Sequence, residues 1–241
     1  MKSTMMKSTM MKSTMMKSTL LLLPLLAAGV GCQKQLPEPP EAAAGDPRSV
    51  AAQKMAEQLA GQEKQVIGLG DKVMQPVKLT RAADRLVEIK KVKELKDAYG
   101  SALVTLHALD EATLALDREL RHAGASYGAG AQCFRDRAGD YRDGKLKDAC
   151  GSWAGHYEGL RDRVPYHRER VAALRKELPR TLELMRQSGQ ILDDYYLFVS
   201  QYPGETLPDT VAAPYVQNVK EYVRQFEGFE AALESYRKGG N

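Results

Sequence analysis

Between Leu95 and Leu120, apolar or small uncharged residues return at alternating steps of four and three: Leu95, Tyr99, Ala102, Leu106, Leu109, Thr113, Leu116, Leu120. A half-buried strand would alternate every second residue. This spacing instead places the set along one face of an α-helix, in the heptad pattern of coiled coils. Two further runs behave alike. Val171, Leu174, Leu178, Thr181, Met185, Ser188, Leu192, Tyr195 and Val199 make one, and Tyr215, Val219, Tyr222, Phe226, Phe229, Leu233 and Tyr236 the other. A helix with one apolar stripe must cover it, and several long ones joined by loops do so against each other. No segment reads as a strand. The expected fold class is therefore all-α: an elongated antiparallel helical bundle with coiled-coil-like heptad helices.

Glycine and proline suggest where the helices stop. Asp46–Pro47 reads as an acidic N-cap followed by a first-turn proline, opening a helix that ends near Ile67, before Gly68 and Gly70. A second helix runs from about Leu79 to His122, with a stutter near Val92. The stretch "HAGASYGAGA" (122–131) reads as a glycine-rich turn, followed by two shorter helices, 131–141 and 145–163, split at Asp143–Gly144. The next helix begins near Pro165 and reaches Ser200 with a kink at Pro179. A loop with three prolines (201–214) leads into the last helix, 214–237.

The first residues have a different character. "MKSTM" occurs three times, and "MKSTLLLLPLLAAGVGC" follows from Met16 to Cys32. Its apolar run, Leu20 to Val30, is too short for a spanning helix, which needs roughly 20 residues. A basic stretch, a short apolar run and then small residues describe a secretory signal peptide. Each copy of the repeat adds a lysine and another possible start without shifting the frame.

The ending, with Ala27, Ala28, Gly29 and Gly31 before Cys32, resembles a bacterial lipobox. That resemblance to bacterial lipoproteins implies acyl chains on Cys32 and a membrane anchor. With Gln33 rather than aspartate next, it implies the outer membrane of the cell envelope, facing the periplasm. An ordinary signal peptide cut near Gly31 is the other reading. The chain then divides into a signal peptide (1–31), a Pro-rich linker (32–46, "QKQLPEPPEAAAGD" after Cys32) that would hold the domain clear of the lipid, and a helical bundle domain (47–238).

Removing residues 1–31 takes away four lysines and no acid, leaving 31 basic and 31 acidic residues. The mature chain is formally neutral, which removes the net basic field that nucleic-acid binding rests on. Cys133 and Cys150 remain after Cys32, and an even pair outside the cytoplasm suggests a disulfide clamping the segments on either side of Gly144.

Candidate chemistry is thin. Glu119 and His122 have Glu-x-x-His spacing, but a di-metal bundle site needs two such motifs and further carboxylates; no metal ligands and no cofactor are assigned. No nucleophile has a base in sequence context, so no catalytic residues are assigned and the chain is not expected to be an enzyme. Two surfaces remain as candidates. Arg161, Arg163, Arg168, Arg170, Arg175, Lys176 and Arg180 could form a basic docking face for anionic lipid or cell-wall polymer. Tyr195, Tyr222 and Phe226 could line a ligand groove between the last two long helices. The leading expectation is a lipid-anchored, non-catalytic scaffold or binding bundle with an envelope-protein or cell-wall partner; the alternative is a small-molecule-binding bundle using that groove.

Overall fold

The apolar seams do form helices, and the helices are longer than their punctuation suggests. In a computed structural model, residues 36–83, 86, 88–202 and 206–238 are described; Cys32 and the expected signal peptide lie outside them. There are six helices in the described chain: α1 (Glu41–Ala44), α2 (Pro47–Ala82), α3 (Ile89–Ala138), α4 (Gly144–Ser200), α5 (Asp209–Arg224) and α6 (Glu227–Lys238). Among the described residues there is no strand, only an isolated antiparallel bridge between Glu88 and Thr206, which joins the α2–α3 and α4–α5 connections. At 1.5 Å per residue, α2, α3 and α4 measure about 54, 75 and 85 Å.

The expected second helix, 79–122, starts later, since Leu79 lies in α2 and α3 begins at Ile89; where an expected helix runs on past its end, a continuing seam carries it. The first helix does not stop at Gly68: Val66, Gly70, Val73, Val77 and Thr80 keep the four–three spacing and are buried. The glycine-rich stretch 122–131 is helix rather than turn, because Ala123, Tyr127, Gly130 and Phe134 carry the α3 seam straight through it. The segments expected at 145–163 and 165–200 are one helix, α4, with Pro165 and Pro179 inside it. Both prolines lie on its exposed side. The carbonyls they leave without a donor, one turn back on the same side, can therefore turn to water. The last helix is instead divided. Tight i→i−3 bonds, Gln225 N–H to Tyr222 O at 3.0 Å and Phe226 N–H to Val223 O at 3.3 Å, separate α5 from α6 while keeping Phe226 buried.

Contacts between named residues fix an up-down-up-down bundle. Near one end, Lys96 of α3 meets Asp193 of α4 at 3.2 Å. Near the other, the rings of Phe134 and Trp153 stack at 5.8 Å. Helix α3 packs along both α2 and α4, while α5 and α6 return along α4 and α2. This return starts where Tyr215 stacks on Tyr195 at 4.6 Å and ends where Arg170 reaches the Ser235 carbonyl. The molecule is therefore four helices wide over one half and three over the other.

The N-terminal segment completes the three-helix half. Residues 36–46, expected to be part of a free linker, are docked on the bundle instead. Leu36 packs against the core, Pro40 and Ala43 are buried, and the Trp153 indole N–H donates to the Pro37 carbonyl at 2.9 Å. The prolines keep this segment extended up to α1, which lets it lie across helices that a flexible chain would leave.

Cys133 and Cys150 are separate buried thiols, not the bonded pair expected. The reason lies in their surroundings. The Cys133 thiol donates to the Ala43 carbonyl, at 3.8 Å, under the docked segment. Cys150 is enclosed in the apolar core. Burial pushes both thiols up from their ordinary range, with Asp46 adding to the effect at Cys133, which favours the protonated form of each.

Candidate functional site

Three seam positions at one level of the bundle hold polar residues. Glu63 follows Leu59 and precedes Val66 on α2; His167 sits between Val164 and Val171 on α4; Tyr236 follows Leu233 on α6. Heptad spacing turns all three inward, and they meet where α6 ends and the bundle narrows to three helices. His167 Nδ1 lies 2.9 Å from a Glu63 carboxylate oxygen, with both side chains mostly buried. One turn on from His167, Arg170 is 6% exposed. Its Nε donates to the Ser235 carbonyl at 3.1 Å, and its guanidinium stacks 4.9 Å from the Tyr236 ring centre and 5.4 Å from that of Tyr166.

The electrostatics follow from this enclosure. Burial lowers the Arg170 pKa, although a guanidinium stays charged even so. Burial, and then the nearby Glu63 carboxylate, push the Tyr236 and Tyr127 phenols well above the ordinary tyrosine range, so both stay neutral. Arg170 Nη1 and the Tyr236 hydroxyl have no protein hydrogen-bond partner. A polar layer of this kind tolerates only the register in which its members meet, so it holds α6 at one height on α2 and α4. Flanking pairs between α2 and α6 act in the same direction: Arg81 to Glu230 at 2.6 Å, and Arg237 to Asp71. The sequence analysis missed Glu63 and gave His167 no role. The available signal was a charged residue at a core position of the repeat, not metal-ligand spacing.

The basic set of α4 is not one face. Arg170 points into the polar layer and Arg175 is half-buried. Arg161, Arg168, Lys176 and Arg180 lie on the exposed side, where Arg168 pairs with Asp117 of α3 at 3.5 Å and Arg161 with Asp162 at 3.0 Å. Arg163 is exposed on the opposite flank, two residues and about 200° round from Arg161.

The aromatic trio of the proposed groove belongs to the packed interior. Tyr195 and Phe226 have no exposed surface, and Tyr222 is half-buried. Tyr195 donates its hydroxyl to the Leu86 carbonyl at 2.5 Å, and burial pushes its pKa up to about 12. A shallow open depression lies instead on the outer side of α2, lined by Asp71, Lys72, Gln75, Lys78, Leu79 and Ala82. Among the described residues, no three His, Cys, Asp or Glu side chains are grouped to hold a metal, and no helix is long and apolar enough to cross a membrane.

A second polar cluster secures the three-helix end. Asp46 caps α2 by accepting from the Arg48 N–H at 3.0 Å, and it also pairs with the Arg48 and Arg137 side chains. Arg48 reaches on to Asp136 of α3 at 2.8 Å. These hydrogen bonds, Arg48 first, hold the Asp46 carboxyl far below its ordinary value of 3.8. A carboxyl that ionises more readily folded than unfolded contributes fully above about pH 4, and that contribution is lost as pH falls further. Asp46→Asn preserves the cap but not the charge. Its melting temperature should therefore fall less steeply than that of the wild type between pH 4 and pH 2; parallel curves would remove Asp46 from the acid response.

Compared with protein-family models, with curated proteins and with solved structures, the chain finds no match.

Proposed function

We propose that this protein is a lipid-anchored lipoprotein of the bacterial cell envelope. It is held at the outer membrane through Cys32, faces the periplasm, and acts as a non-catalytic scaffold whose helices set a distance or present a surface to an envelope protein or cell-wall partner. The observation carrying this reading is the way the interior is used. The seams of α2, α3 and α4 are filled with packed side chains along most of their length, most of the aromatic residues belong to that core, and the charged residues inside it lock register. A rod of this kind is stiff and specific in length. The N-terminal residues that carry the lipobox resemblance supply the anchor, and a formally neutral mature chain suits neither nucleic acid nor free electrostatic docking.

Stable anchoring needs more than one acyl chain, each buried CH₂ contributing about 0.8 kcal/mol. Cys32→Ser removes the acceptor. The variant should move from the detergent-extracted membrane fraction to the soluble fraction, and the N-terminal peptide of the wild type should carry an acyl mass on Cys32. A variant that stays as firmly membrane-bound as the wild type would sink the anchoring reading.

A further inference from the structure

Resting on that lipid-anchored reading, we infer that the tip joining α3 to α4, residues 139–147, is the lipid-facing surface, and that the rod stands on it with the α2–α3 and α4–α5 connections pointing away. The docked N-terminal segment is what sets this orientation. Four peptide steps separate Cys32 from Leu36, a reach of at most about 14 Å. Leu36 is packed on the core, and Pro37 is fixed by Trp153, which lies nine residues, about 13 Å, along α4 from the tip. An acylated Cys32 therefore cannot let the bundle drift on a leash. It holds this end, and not the other, at the bilayer.

The tip has the chemistry of a lipid headgroup contact. Leu146, 36% exposed, lies between exposed Lys145 and Lys147, with Arg142 and half-buried Tyr141 in the connection before α4; at the other end Leu197 and Tyr202 are exposed with no lysine or arginine next to them in sequence. Among the described residues, Arg142, Lys145 and Lys147 are in no ion pair; of the neighbouring carboxylates Asp140 pairs with Arg137 at 3.4 Å, while Asp143, which caps the Lys145 N–H at 2.8 Å, and exposed Asp148 keep their charge, so residues 139–147 carry a small net positive charge. The cations are thus left to face anionic headgroups, with Leu146 available to enter the interface. Some flank cations are paired along or between helices, as at Lys93–Asp97, Arg121–Asp117 and Lys96–Asp193, while, among the described residues, Lys176 and Arg180 on the outer side of α4 are in no ion pair; what favours the tip over the sides is its closeness to the tethered segment.

The test uses the acylated full-length protein in phosphatidylethanolamine–phosphatidylglycerol vesicles bearing rhodamine on a fraction of the headgroups. Lys147→Cys and Leu197→Cys each place a single accessible thiol for a coumarin maleimide, because Cys133 and Cys150 are buried; the unsubstituted protein should take up no dye under the same conditions. The two positions lie about 75 Å apart along α4. The dye at position 147 should be strongly quenched by the labelled lipid, and the dye at 197 should keep the lifetime it has in unlabelled vesicles. Equal quenching at both positions, or stronger quenching at 197, would overturn the orientation. Flotation with the vesicles separates the two readings. Protein that does not float refutes the anchor, and protein that floats with the wrong quenching pattern refutes only the standing tip.

Discussion

Trp153→Ala should cost about 3–5 kcal/mol and lower the melting temperature by roughly 10 °C. Trp153 is 7% exposed, and its ring stacks on Phe134 at 5.8 Å and 17°, with Tyr157 at 6.0 Å. Truncation leaves a cavity at the end of the bundle where only three helices and the docked segment meet, so little can collapse into it. It also strands the Pro37 carbonyl, whose indole partner is lost. Trp153→Phe separates the two contributions. It keeps an aromatic ring against Phe134 but not the donor, and should lose about 1–2 kcal/mol. The segment is the distinguishing readout. In Trp153→Ala, trypsin should cut after Arg48 sooner than in the wild type, because Asp46, one of the two carboxylates that hold Arg48, ends the segment that Trp153 seats. A denaturation midpoint within 1 kcal/mol of the wild type, together with unchanged cleavage, would show that the segment holds itself in place without Trp153.

The apolar spacing made the fold class legible. Each of Leu95, Tyr99, Ala102, Leu106, Leu109, Thr113, Leu116 and Leu120 is buried, because period and packing are the same fact viewed twice. Helix ends were less legible, because glycine and proline carry two meanings. Gly70 and Gly130 lie on the seams: a Cβ at Gly70 would meet the Leu233 side chain of α6, and one at Gly130 the Ala52 Cβ of α2. Pro165 and Pro179 lie on the exposed side, where a lost backbone bond is cheap. Local propensity proposes a boundary at Gly70, Gly130 and Pro165 and a kink at Pro179; close packing decides otherwise at the glycines, and solvent exposure tolerates the prolines. The docked segment was not legible, since four prolines between residues 36 and 47 describe an extended chain whether or not a tryptophan waits to receive it. The polar layer was hidden for a related reason. Glu63 and His167 are 104 residues apart, and only the register of α2 against α4 brings them within 2.9 Å.

Gly130→Ala should destabilise the protein by about 2 kcal/mol, although alanine is the better helix former by about 1 kcal/mol. A Cβ built at Gly130 would lie 2.6 Å from the Ala52 Cβ of α2 and 3.4 Å from the Tyr157 ring. Carbon atoms prefer separations of about 3.5–4.0 Å. The Ala52 Cβ is fixed to its backbone, so relief requires α2 and α3 to part by about 1 Å along a packed seam, an overpacking cost of about 1–3 kcal/mol or more. Gly124, six residues earlier in the same glycine-rich stretch, is the control. A Cβ there meets nothing within 4 Å, so Gly124→Ala should stabilise by about 0.5–1 kcal/mol. The double variant Ala52→Gly, Gly130→Ala moves the methyl group from one helix to the other and should return close to wild-type stability, with a coupling of about 2 kcal/mol or more in the double-mutant cycle. Urea denaturation of five proteins, the wild type, the three single variants Gly130→Ala, Gly124→Ala and Ala52→Gly, and the double variant, reads all of these values. Should Gly130→Ala stabilise as Gly124→Ala does, the two helices are not in contact at this level. If it destabilises without rescue by Ala52→Gly, the obstacle is the Tyr157 ring and not the neighbouring helix.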